Sequence, residues 1–437
     1  MNKVIRNNVY LVLFCGIMGA VAGGVIWTFL KAMSVGIDVL WKWIPERFPM
    51  PCYTIVVCTV GAALIGCFRW KFGDYPEELD TVMAKVKTEK KYDYSNMVVL
   101  LLSALFPLLL GSSIGPEAGL TGVIVGLCYW VAENLSFARQ NAREYSQVGA
   151  AVTLGVLFRS PLFGVFSVEE ENRDKEILKL PGTLKVFLYG LAVVAGMGSY
   201  LLLSGLFGAG LSALPSFADM QPELPDYLLL AVYILLGCLL AKFYFFTHTV
   251  AEKTVAKIPP IIKETVGGLC LGLLGTMIPV LMFSGEEAMG ELVAGNFAYA
   301  PLLLAGIAFL KVLLTNVCIQ SGLKGGHFFP IIFAGVCLGY AVAIFAFGAL
   351  SGQFIWGLDP GTGQAAFAFE DVAGHAAFAA ATVTAALLGG IMKKPLAVTV
   401  LLFLCFPVKL FMWIFFAAAA GSWLLSIGTA SKKQGEK

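Results

Sequence analysis

What most limits this chain is a succession of apolar runs, many close to the length that crosses a bilayer. The longer ones lie near 9–30, 52–68, 183–211, 226–246, 264–283, 300–319, 328–350, 375–392 and 408–427. About 20 apolar residues span a hydrocarbon core, and backbone in lipid must satisfy its own hydrogen bonds, so such runs are helices. Shorter stretches near 97–111, 119–132, 146–158, 161–169 and 395–406 read as partial or tilted helices buried among the others. Only 13% of the 437 residues are charged and the mean hydropathy is +0.82, against about 25% charged in an ordinary soluble domain. The expectation is an all-α polytopic membrane protein.

The remaining composition is mostly exclusionary. A net charge of +2 gives no bulk attraction to nucleic acid. Ten cysteines are scattered without a C-x-x-C pair, so neither a disulfide framework nor a zinc site is supported, and no metal or other cofactor is expected. Lys3 and Arg6 at one end, and Lys432, Lys433 and Lys437 at the other, place both termini in the cytoplasm. The first apolar run exceeds the roughly 7–15 residues of a signal-peptide core, so it reads as an uncleaved span despite the cleavage-like Ala20-Val-Ala22.

Against this background one carboxylate stands out. Glu117 lies inside Gly111-Ser-Ser-Ile-Gly-Pro-Glu-Ala-Gly119, a glycine-rich break in apolar sequence. Charge at membrane depth is costly and usually lines a pathway. A second break, Gly326-His-Phe-Phe-Pro330, also opens an apolar helix. Downstream, Phe158-Arg-Ser-Pro-Leu162 and Met392-Lys-Lys-Pro-Leu396 form a matching pair in the same order. Interrupted segments at corresponding positions in two halves point to a binding site between repeats. The chain accordingly divides into a first repeat over 1–180, a second over 181–427 and a short basic tail over 428–437, with no soluble regulatory domain.

Helix N-termini carry unpaired N–H groups and partial positive charge. Two such ends converging near the midplane would bind an anion without a cationic side chain. The backbone stretches concerned are Gly115, Pro116 and Ala118, and Gly326, His327, Phe328, Phe329 and Pro330. Small glycines could instead serve helix packing, but the paired breaks with a carboxylate favour the anion site. Glu117 would compete with the anion for those amides until protonated, which links proton and anion occupancy. Glu169-Glu170-Glu171 oppose the dipole at a helix C-terminus, and are either a solvated end or a proton relay. Lys311 is expected to snorkel or to satisfy a buried carbonyl, and His327 to pack or to sense pH. His248 and His375 carry no motif, and Glu286, Glu287 and Glu291 read as a loop. An intramembrane serine protease would need His327 or His375 to meet Ser112 or Ser113, and would explain neither the repeat nor Glu117.

The ordered set of motifs resembles the CLC family of voltage-gated chloride channels and proton/anion antiporters. Gly115-Pro-Glu-Ala-Gly119 is similar to its G-(K/R)-E-G-P motif, and Glu117 falls on the gating glutamate. Gly326-His-Phe-Phe-Pro330 fits G-x-F-x-P, and counting from Pro161 places Glu171 on the internal proton-transfer glutamate. The resemblance implies a homodimer in a bacterial inner or plasma membrane, with one pore per subunit. It also implies two inverted-topology repeats of tilted, broken helices, and transport of chloride or a related anion, with protons as the coupled species. A passive channel, or a variant taking fluoride or another small anion, stays open. Pro116, Ala118 and Gly119 depart from the first motif. The family's G-S-G-I-P segment matches Phe72-Gly-Asp-Tyr-Pro76, so Gly73 stands where a serine should be and, with Asp74, would line the pore. The tail offers no tyrosine. Both hydroxyl ligands expected of the family are therefore missing.

Overall fold

A computed structural model describes residues 3–73, 97–134, 142–172, 182–208, 214–217, 219, 222–259, 261–295, 299–350, 369–403 and 405–434. The first helix, α1 (Lys3–Asp38), runs on through a π turn (Val39–Trp43) into Ile44–Arg47. There follow α2 (Tyr53–Phe72), α3 (Met97–Leu109), α4 (Glu117–Asn134), α5 (Ala142–Leu157), α6 (Pro161–Asn172) and α7 (Gly182–Phe207). The remaining helices are α8 (Leu224–Val255), α9 (Ile262–Met277), α10 (Glu286–Val293), α11 (Pro301–Ser321), α12 (Phe328–Leu350), α13 (Phe369–Met392), α14 (Pro395–Leu402) and α15 (Phe411–Gln434). Among the described residues, eight helices are long and apolar enough to cross a membrane, while α3 and parts of α4 and α5 are shorter apolar helices. Pro161, Pro301 and Pro395 each occupy the first position of a helix, where proline loses no hydrogen bond.

The chain folds as two compact units that interleave along the sequence. Unit 1 holds 1–213, 258–277 and 321–326, and unit 2 holds 214–257, 278–320 and 327–437. In unit 1, α1 and α7 touch backbone to backbone. Gly19 lies on Ala192 and Gly23 on Gly196 so closely that a Cβ at either would overlap main chain. In unit 2, α13 and α15 make the same kind of contact, Gly389 on Ala418 and Gly421 on Ala386. Lipid tails give helices no hydrophobic reason to associate, so close approach and dispersion contacts replace it.

Opposite faces carry exposed apolar stripes at helical spacing: Leu13, Ile17 and Val21 on α1, Val56, Val60 and Leu64 on α2, and Leu228, Val232, Leu235 and Leu239 on α8. Such stripes suit lipid rather than water. By contrast, α12 and α13 of unit 2 are mostly buried.

The last helix, α15, continues into the basic tail as far as Gln434, since Ala430, Lys432, Lys433 and Gln434 favour helix and no proline intervenes. One expectation changes. Glu286, Glu287 and Glu291 lie on α10 rather than in a loop. Gly285, at φ +97, turns the chain, and two acids in the first turn suit the helix dipole. Replacing Gly23 by Leu should break the α1–α7 contact and destabilise the protein by about 1–3 kcal/mol. Thermal unfolding in detergent checks this, with Gly16→Leu as control, because a Cβ at Gly16 meets nothing within 4 Å.

Candidate functional site

The break around Glu117 is built by a helix stop. Gly111, at φ +71, follows α3, with Gly111 N–H donating to Leu108 O and Ser112 N–H to Pro107 O. This is the Schellman arrangement, in which a left-handed glycine lets the last carbonyls find partners. Four residues later comes Gly115, and two after that α4 begins. The second break repeats the count. Gly322, at φ +99, follows α11, Gly326 comes four residues later, and α12 begins two beyond it.

Gly115 and Gly326 meet as an isolated antiparallel bridge in unit 1. Each N–H donates to the other's carbonyl at 2.8 Å. The amides of Gly115 and Gly326, expected as anion donors, are therefore spent on each other. Pro116 and Pro330 have no N–H to give. Of the expected donors in the first motif, Ala118 remains, since the first bond within α4 runs from Leu120 N–H to Pro116 O. In the second motif, Phe328 and Phe329 open α12 and the first bond runs from Ile331 N–H to His327 O. The His327 ring packs 5.6 Å from Tyr244 and 4.7 Å from Phe328.

Glu117 is 1% exposed. Its carboxyl lies directly against the α-carbon of Gly326, so a side chain at Gly326 would displace it. Thr121 Oγ1 donates to the Glu117 carbonyl at 2.7 Å, and Ser112, Ser113, Ile114 and Thr121 are all buried around it. The structure thus brings together Gly115, Glu117 and Gly326. Gly73 caps α2 at φ +105, its N–H donating to Arg69 O. Asp74 lies outside the described residues. Glu171 falls on α6, with its side chain likewise outside them.

Several buried polar groups escaped the sequence reading. Arg69 on α2 pairs with Glu264 on α9 at 2.6 Å, and their only signal was charge at the ends of apolar runs. Asp226 in the first turn of α8 is bound by His375 Nδ1 at 3.0 Å, with the His375 ring stacked on Phe347. Lys311, for which a buried carbonyl was one of two expected partners, donates to three, those of Leu281, Met282 and Phe283, at 2.7 to 3.0 Å. That uses every donor of an ammonium group.

The long apolar helices and the buried break between them are those of a polytopic integral membrane protein. A model of the family described as Voltage gated chloride channel matches residues 61–426, and the chain belongs to that family. The curated "Putative ion-transport protein YfeO" of Escherichia coli O7:K1 (strain IAI39) is 29% identical over 250 residues. That alignment covers 55% of this chain and 56% of the relative, so the chain spans little more than half the length of such relatives. A solved CLC-type fluoride/proton antiporter superposes with a TM-score of 0.68 at 18% identity, over 97% of this chain and 96% of the other. A slow cyanobacterial Cl⁻/H⁺ antiporter gives 0.72, also at 18%, over 96% and 93%.

Gly326→Ala should force the Glu117 carboxyl from its seat. The expected outcome is a several-fold change in carbodiimide labelling of Glu117, read by peptide mass spectrometry, and an unchanged rate would contradict the placement.

Proposed function

We propose that the protein carries inorganic anions across the membrane in exchange for protons, with Glu117 as the gate. The observation that carries this reading is the fully buried carboxylate seated on Gly326, two residues after one bridging glycine, at the start of a helix. Held there, a carboxylate occupies space and positive potential that an anion would use, and protonation weakens its claim to both. Within unit 1 the anion-holding group is a first-turn amide, that of Ala118 on α4. Glu171, near the C-terminal end of α6, is the internal proton acceptor. The protein works as a homodimer in a bacterial inner membrane, each subunit with its own pathway. Family membership supports anion transport, and the fold neighbours are themselves described as fluoride/proton and Cl⁻/H⁺ antiporters.

A smaller anion such as fluoride is the second reading. Gly73 has no hydroxyl, and the last helix carries no tyrosine, so a large halide loses two expected ligands.

In proteoliposomes, anion flux should rise as pH falls, because acid removes the competing carboxylate. Glu117→Gln should abolish coupled proton movement and flatten the pH dependence of anion flux. Glu171→Gln should cut proton movement at least about tenfold while anion flux persists, since only the proton branch loses a carrier. Proton and anion electrodes in one experiment check both, and undiminished proton-coupled flux in Glu117→Gln would sink the gate.

A further inference from the structure

Unit 1 buries an ion pair that the transport reading leaves unused. Arg69 and Glu264 side chains are 7% and 2% exposed. Pairing two charges out of water is weak support for stability, because desolvation offsets their attraction, and a role in fixing geometry is the better motive to look for. The surroundings show which geometry. Glu264 Oε2 accepts the N–H of Ile261 at 2.7 Å, holding that β-branched residue at φ +73, a conformation such residues rarely adopt. Gly322, at φ +99, lies so close to Arg69 Nη1 and Glu264 Oε1 that no Cβ fits there. Gly267 on α9 is closed in the same way by the Ser321 side chain. Residues 321 and 322 are thus seated on the pair and on α9.

From that seat the chain runs straight to the gate. Gly325 packs on Ile114 and on Gly115 O, and Gly326 makes the bridge and bears the Glu117 carboxyl. The loop 321–326 belongs to unit 1 although 278–320 and 327–437 on either side belong to unit 2. Among the described residues, Lys263 on α9 feels the charges of Arg69, Glu264 and the loop's Lys324.

We propose that Arg69 and Glu264 are positioning residues, which set the loop 321–326 and, through Gly326, the resting place of the Glu117 carboxyl. The inference rests on Glu117 being the gate. Neutralising Glu264 removes its charge from beside Arg69 and weakens its hold on Ile261, so the loop relaxes and the ease of displacing Glu117 changes.

Glu264→Gln is to be made both alone and with Glu117→Gln, and anion flux followed against pH in proteoliposomes. Alone, it should move the midpoint of the pH dependence by about half a unit or more. With Glu117→Gln, where no midpoint remains, it should change flux by less than about twofold. Arg69→Lys, which keeps the charge, should move the midpoint less than Glu264→Gln does. Should Glu264→Gln fail to fold, Gly322→Ala, which pushes the loop off the pair and removes no charge, is read the same way. An equal proportional loss in both backgrounds with an unmoved midpoint overturns the positioning role. A Glu117→Gln variant indistinguishable from wild type overturns the gate reading instead.

Discussion

Two hydrogen bonds between the backbones of Gly115 and Gly326 hold the arrangement on which the site depends. Both segments leave helical geometry inside a protein built for lipid, where an unsatisfied N–H or carbonyl costs several kcal/mol. Pairing the two breaks lets each satisfy the other. It also requires glycine, because a Cβ at Gly326 would meet the Glu117 carboxyl and one at Gly325 would meet Ile114. The bridge therefore explains the glycines, the burial of Glu117 and the position at which α4 starts.

Buried charges tie elements to one another. Lys311 is enclosed by three carbonyls, Asp226 by His375 and the backbone of Glu223, and Arg69 is paired with Glu264. Glu117 lies against a glycine α-carbon at a helix start, where the field favours negative charge.

Much of this was legible in the residues. Long apolar runs marked the helices, and Pro161 and Pro395 two of their starts, because length and the missing N–H act locally. The two glycine breaks announced a shared site, since repeated interruption has few other physical motives. What escaped depended on register. Which amides would pair across the bridge cannot be read from either motif alone, so Gly115 and Gly326 were expected as anion donors when they serve each other. Arg69 and Glu264 stand 195 positions apart, and no local pattern joins them. The acids of α10 passed for a loop because charge and a nearby glycine suggest solvent, whereas Glu286 is buried at the helix start.

The most direct test is electron cryo-microscopy of the protein in lipid with a transported anion, at neutral and at acidic pH. The account predicts the Glu117 carboxyl against Gly326 at neutral pH, and at acidic pH a displaced side chain with anion density in its place. A carboxyl in the same seat under both conditions, with no anion density beside it, would contradict the account.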